Sequence, residues 1–147
     1  MSQSLYTIRD FLWLDDNLGT SGLVRPEQLE IIAAEGFACV LNLLPDESDA
    51  WFPEEPERVA TLGMEFVRIP VIWRSPTREN LDDFCAAMDA RQGQKLFVHC
   101  AANMRASAFL YLWRLRNGFD ETEARDDMHD IWHPDGVWAE FIEANRT

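Results

Sequence analysis

A chain of 147 residues is long enough for one hydrophobic core and too short for two, so a single domain over residues 1–147 is expected. With 47 % apolar residues and six tryptophans it should fold without disulfide or metal support. A net charge of −13 argues against nucleic acid or an anionic membrane as partner, and no apolar run approaches a membrane span, which points to a soluble cytoplasmic protein.

In chain order, Tyr6 to Leu14 reads as a short strand closed by the turn Asp15-Asp16-Asn17, and Leu18 to Ser21 as a second short strand. Gly22 to Arg25 connects to a helix opened by Pro26, with Leu29, Ile32 and Ala33 on its apolar face and Gly36 at its end. Phe37 to Leu44 is apolar almost without alternation, the pattern of a central parallel strand covered on both faces. The acidic, proline-bearing stretch from Pro45 to Pro56 reads as a surface loop that carries Trp51 and Phe52 outward or over a site. Glu57 to Leu62 forms a short helix closed by Gly63, and Glu65 to Val71 returns as a strand. Thr77 caps the next helix, whose buried stripe is Leu81, Phe84, Cys85 and Met88. Leu96 to Val98 is a buried strand, and Arg105 to Asn117 is a helix apolar on most sides. Asp120 caps a helix to about Trp132, and Gly136 to Asn145 makes a last one with Val137, Trp138, Phe141 and Ile142 as its apolar residues. Strands alternating with helices in this order predict an α/β fold, a mostly parallel sheet with helices on both faces.

The chemistry gathers in the run LFVHCAANMRAS from Leu96 to Ser107. Cys100 ends a strand, Ala101 to Met104 form a small-residue loop, and a helix follows, which is where open α/β sheets bind ligands. Unpaired N–H groups and the helix dipole favour an anion there, and a phosphate fits. The same field favours a cysteine thiolate, and the planar fork of Arg105 suits two phosphate oxygens. Ala101 and Ala102 keep the loop thin enough for its amides to reach a ligand, and Asn103 is the residue after glycine that best tolerates a left-handed backbone. Cys39 and Cys85 fall in a strand and on an apolar helix face, so they read as core residues; three cysteines without paired spacing fit a reducing compartment.

These residues resemble the signature of the cysteine-dependent protein phosphatases, in particular the small dual-specificity or tyrosine-phosphatase-like group: His99, Cys100, a short loop, Arg105 and a nearby hydroxyl, Ser107. The loop has four residues between cysteine and arginine where that group usually has five, and Ala106 displaces the hydroxyl. Upstream, Thr20 to Gly22, Pro26 to Leu29, Gly36 to Leu44 and Gly63 to Pro70 look like the turn, helix and strands of the same group, so the resemblance runs from about Asp10 to Asn117. It implies a dual-specificity-phosphatase-like fold and a phosphomonoester hydrolase. Cys100 would form a phosphocysteine, Arg105 and the amides of Ala101, Ala102, Asn103 and Met104 would hold phosphate, His99 and Ser107 would support the thiolate, and no cofactor would be needed. The partner is then a phosphorylated protein or small molecule, with oligomeric state left open.

Such a reaction also needs an acid to protonate the leaving oxygen. The resembling group places an aspartate in the loop after the strand ending near Pro70, but Ile72 to Arg78 holds no carboxylate. Glu79, Asp82 and Asp135 are the substitutes the sequence offers. Two other readings compete: a non-catalytic phosphate-binding pseudophosphatase, suggested by the missing acid, and a rhodanese-like sulfurtransferase, suggested by the four-residue gap. His129 and His133 have the spacing of two metal ligands on a helix, but Pro134 follows at once and no third ligand stands out, so no metal is expected.

Overall fold

The computed structural model describes residues 4–146. A short 3-10 turn, Leu5–Thr7, leads into β1 (Leu12–Asp15) and β2 (Leu18–Ser21). A second 3-10 turn, Pro26–Gln28, opens α1 (Leu29–Ala34), followed by β3 (Cys39–Asn42), α2 (Glu55–Thr61) and β4 (Glu65–Arg68). Then come α3 (Arg78–Asp89), β5 (Leu96–His99), α4 (Met104–Arg116), α5 (Glu121–Ile131) and α6 (Gly136–Asn145). The sheet runs β1-β2-β5-β3-β4, parallel except for the edge hairpin of β1 with β2. Register aligns Ser21, His99, Asn42 and Arg68 in one row across the carboxyl ends of the four parallel strands.

The central strands β3 and β5 are buried along their whole length because both faces are covered. Val40 and Phe97 point into a cluster with Leu29, Ile32 and Val59, whereas Cys39, Leu41, Leu96 and Val98 point into the larger cluster built on Phe84, Phe109, Leu112 and Trp138. Helix α4 lies against the sheet with Ala106 through Leu112 all buried, as expected for a helix apolar on most sides. Its neighbour α3 buries the expected stripe, and its start is fixed by Thr77, whose Oγ1 accepts from Asn80 N at 3.0 Å. Asp120 caps α5 in the same way, accepting from Glu123 N at 2.9 Å.

Three expectations are corrected. The first strand begins at Leu12 rather than Tyr6: the Ser4 hydroxyl accepts from Tyr6 N and winds the chain into a turn, and Asp10, with φ 53°, breaks the extended line. Helix α2 begins at Glu55, inside the stretch read as loop, because Pro56 suits a first turn and Glu55 is drawn inward by Asn42 and His99. Trp51 and Phe52 neither project outward nor line the site; both are half-buried, and the Arg68 guanidinium lies 3.7 Å above the Trp51 ring.

Candidate active site

Strand β5 delivers Cys100 to the carboxyl edge of the sheet, where it is 1 % exposed. Ala101 to Asn103 turn over the start of α4, and Arg105 sits in that helix's first turn. Cys100, Ala101, Ala102, Met104, Arg105 and Trp73 line a pocket of about 260 Å³. Of the five residues expected around the cysteine, four line it, and Asn103 is buried behind the loop. Arg105 donates from Nη1 to Val71 O at 3.3 Å, while its Nε–H is buried without a partner among the described residues. A buried, unpaired guanidinium donor costs free energy that an oxyanion in the pocket would recover. The Trp73 ring, which lines the pocket, has its centroid 5.6 Å from the Arg105 guanidinium and its backbone tied down by Trp138, whose Nε1–H donates to Trp73 O at 2.7 Å.

The loop is held from behind by β2. Asn103 adopts φ 62°, ψ 5°, the left-handed conformation expected of it. Its Oδ1 lies 2.8 Å from the Thr20 hydroxyl, which shares its one proton with Val98 O, also at 2.8 Å, and its Nδ2 donates to Asp10 O at 2.9 Å. Leu23 N donates to Ala101 O at 2.8 Å, and Gly22 lies so close that a Cβ there would stand 2.8 Å from Ala101 O and 3.1 Å from Ala102 Cα. Glycine is required at 22 for this approach of two backbones.

His99 and Ser107 occupy different surroundings from the nucleophile. Because side chains alternate along a strand, His99 turns to the opposite face of the sheet from Val98. There Nε2 meets Glu55 Oε2 at 2.7 Å, both side chains being fully buried, and Asn42 Nδ2 donates to Glu55 Oε1 at 2.8 Å. Such a contact fixes the ring's orientation. Ser107 donates to Met104 O at 3.1 Å and accepts from Trp132 Nε1 at 3.1 Å, so its hydroxyl braces the first turn of α4 against α5.

None of the three candidate acids lines the pocket. Glu79 and Asp135 are exposed at the starts of α3 and α6. Asp82 accepts from Arg116 at 2.9 Å and from Arg78 at 3.2 Å, and the Arg116 hydrogen bond holds its carboxyl below the usual range, the reverse of what a proton donor needs. Burial pushes the Cys39 and Cys85 thiols up to about 11, which fits core residues without chemistry. No group of three or more potential metal ligands occurs among the described residues, and the His129 and His133 rings stack at 4.1 Å. A larger cleft of about 530 Å³ opens at the other end of the strands, between Asp15 to Leu18 and Gln92 to Leu96; no cysteine, serine or threonine lines it.

Residues 18–136 match the family described as a dual-specificity/tyrosine phosphatase fused to NAD+ kinase. The chain belongs to this family. It is therefore a phosphatase of the dual-specificity and tyrosine type. Among proteins of curated function none matches the chain. A crystal structure from Shewanella putrefaciens CN-32, a phosphatase candidate of the DUF442 group, is 34 % identical with a TM-score of 0.85, over 95 % of this chain and 93 % of that one. Tk-PTP in its active form superposes with a TM-score of 0.78 at 18 % identity, over 93 % and 96 % of the two chains. The core catalytic domain of the Saccharomyces cerevisiae PP-IP phosphatase SIW14, in complex with citrate, gives 0.76 at 16 % identity, over 92 % and 85 %. The fold of these phosphatases, mostly parallel sheet and flanking helices, is the fold of this chain.

The sequence reading missed Gly22, Thr20, Glu55 and Trp73. Gly22 and Thr20 stand in the stretch that carried the family resemblance, yet only the backbone approach and the Asn103 contact show why those residue types are there. Glu55 sits 44 residues before its partner, a separation no local pattern reveals.

Proposed function

We propose that Cys100 is the nucleophile of a phosphomonoester hydrolase working through a phosphocysteine. The observation that carries this is the pocket itself: the thiol, the thin loop and the Arg105 fork face one cavity at the amino end of α4. The thiolate attacks phosphorus, and Arg105 and the loop amides hold the three non-bridging oxygens. The leaving oxygen departs, and water then cleaves the S–P bond to release phosphate. Arg105 and the helix start stabilise the negative charge spread over those three oxygens in the transition state, while the charge that grows as the bond breaks falls on the leaving oxygen.

The substrates read best as phosphomonoesters with a stabilised, aromatic leaving group, on a protein or a small molecule. Two features support this. No carboxylate lines the pocket, so an alkoxide would depart unassisted, whereas a phenolate leaves without a proton. Trp73, which lines the pocket, lies beside Trp132 and Trp138 with ring centroids 5.5 and 5.4 Å away, an aromatic surface suited to an aromatic ring. The free thiols fit a reducing compartment, and we place the enzyme in the cytoplasm as a single domain. No helix among the described residues is long and apolar enough to cross a membrane.

Hydrolysis of p-nitrophenyl phosphate by wild type beside Cys100→Ser tests this reading. Turnover by wild type that disappears in the variant is expected; turnover that persists in Cys100→Ser would remove the nucleophile assignment.

A further inference from the structure

Among the described residues, two that are not glycine have a positive φ, Asp10 and Asn103, and they are joined: Asn103 Nδ2 donates to Asp10 O at 2.9 Å. The neighbouring carbonyl, Arg9 O, accepts from Gly22 N at 2.7 Å. Gly22 is the residue packed against Ala101 and Ala102, and the next amide, Leu23 N, holds Ala101 O. Of two successive carbonyls in the segment before β1, one therefore holds Asn103 in the phosphate loop and the other holds Gly22, which packs against that loop. The segment is itself anchored: Leu5 and Ile8 are buried with Val24 and Leu29, and Gln28 Nε2 donates to Thr7 O at 3.2 Å. The family match begins at residue 18, so this segment precedes the matched region.

We propose that the segment Leu5 to Asp10 and strand β2 together form a strap that positions the phosphate loop for catalysis, acting through Asp10 O and Thr20 Oγ1 on the Asn103 side chain. The proposal rests on the Cys100 and Arg105 reading of the site. Asn103, Thr20 and the Asp10 carbonyl are positioning groups; none of them lines the pocket. A left-handed residue between the nucleophile and the helix is a single soft joint, and freeing it lets the amides of Ala101 to Met104 lose their convergence. Tethering its side chain on two sides, to β2 and to the segment before β1, holds the joint in the conformation that points those amides inward. This preorganisation is what an oxyanion site requires.

Asn103→Gly separates the two roles of the residue. Glycine takes φ 62° at no steric cost but cannot reach Thr20 or Asp10. If the asparagine served only to permit the left-handed turn, the variant would equal wild type. With the strap at work, kcat/KM for p-nitrophenyl phosphate falls about tenfold or more, and the dissociation constant of inorganic phosphate rises in parallel. Thr20→Val keeps shape, removes one of the two tethers and gives a smaller loss of the same kind. A segment that merely supported the fold would lower the melting temperature of both variants and leave the kinetics and phosphate affinity of the folded protein unchanged. Wild-type kcat/KM and phosphate affinity in folded Asn103→Gly overturn the proposal, and should that variant not fold, wild-type values in Thr20→Val overturn it instead. Cys100→Ser, run alongside, keeps the two readings apart: turnover retained there refutes the nucleophile, whereas turnover lost there with unchanged Asn103→Gly refutes the strap alone.

Discussion

Gly22→Ala places one methyl group where the structure has no room for it. The new Cβ would stand 2.8 Å from Ala101 O and 3.1 Å from Ala102 Cα, both backbone atoms, so no side-chain rotation relieves the overlap. Restoring ordinary contact near 3.5 Å requires the strand end and the loop to separate by roughly 0.7 Å. Ala101 O cannot simply swing aside, because it accepts from Leu23 N at 2.8 Å, a bond whose loss costs about 1 kcal/mol. Overpacking of this kind costs about 1–3 kcal/mol in all, or a melting temperature lower by roughly 3–10 °C. The larger effect falls on catalysis: the displaced residues adjoin Cys100, and misplacement by a fraction of an ångström to 1 Å lowers kcat/KM by about 10- to 100-fold. Gly19→Ala is the matched control. Its Cβ meets the rings of Phe37 at 3.1 Å and Phe11 at 3.2 Å, away from the pocket, so it should lose stability while the folded protein keeps its kcat/KM. The assay is steady-state hydrolysis of p-nitrophenyl phosphate below both melting transitions. Folded Gly22→Ala with wild-type kcat/KM would refute the argument that this contact sets the loop.

Three further outcomes are expected. Glu55→Ala leaves His99 buried without its carboxylate and Asn42 without its acceptor, so urea denaturation should show a loss of about 3–5 kcal/mol; a loss below about 1 kcal/mol would contradict the buried pairing. Asp82→Asn should retain kcat within about twofold, since a carboxyl held below its usual range by Arg116 is no acid, whereas a loss of 100-fold or more would reinstate it. Glu65 carries the corresponding pH dependence: the Arg91 hydrogen bond holds its folded carboxyl below the ordinary glutamate value. Its stabilisation is thus fully present above that value and lost as pH falls through the lower folded one. Stability should decline more steeply below about pH 4.5 in wild type than in Glu65→Gln, and parallel curves would remove the coupling.

Much of the fold was legible because its signals are local. The unbroken apolar run of Phe37 to Leu44, the helix stripe of Leu81 to Met88 and the caps at Thr77 and Asp120 each follow from side-chain type and spacing. The Cys100 to Arg105 loop was legible for the same reason, since strand, small residues and helix are contiguous. What stayed hidden depends on long-range contacts. Nothing near Glu55 says that it is buried, because its partners Asn42 and His99 come from two other strands. Trp73 reads as one more loop aromatic until Trp132 and Trp138 fold beside it. Tyr6 to Leu14 reads as a strand because its apolar residues serve as anchors for a turn rather than as one face of a sheet.

The central claim is that phosphate passes through Cys100. Rapid acid quench of wild type during turnover of p-nitrophenyl phosphate, followed by mass spectrometry of the peptide holding Cys100, tests it most directly. One phosphoryl group on Cys100, absent in Cys100→Ser, is the expected result. Turnover with no phosphoryl group on Cys100, or with one on another residue, would contradict it.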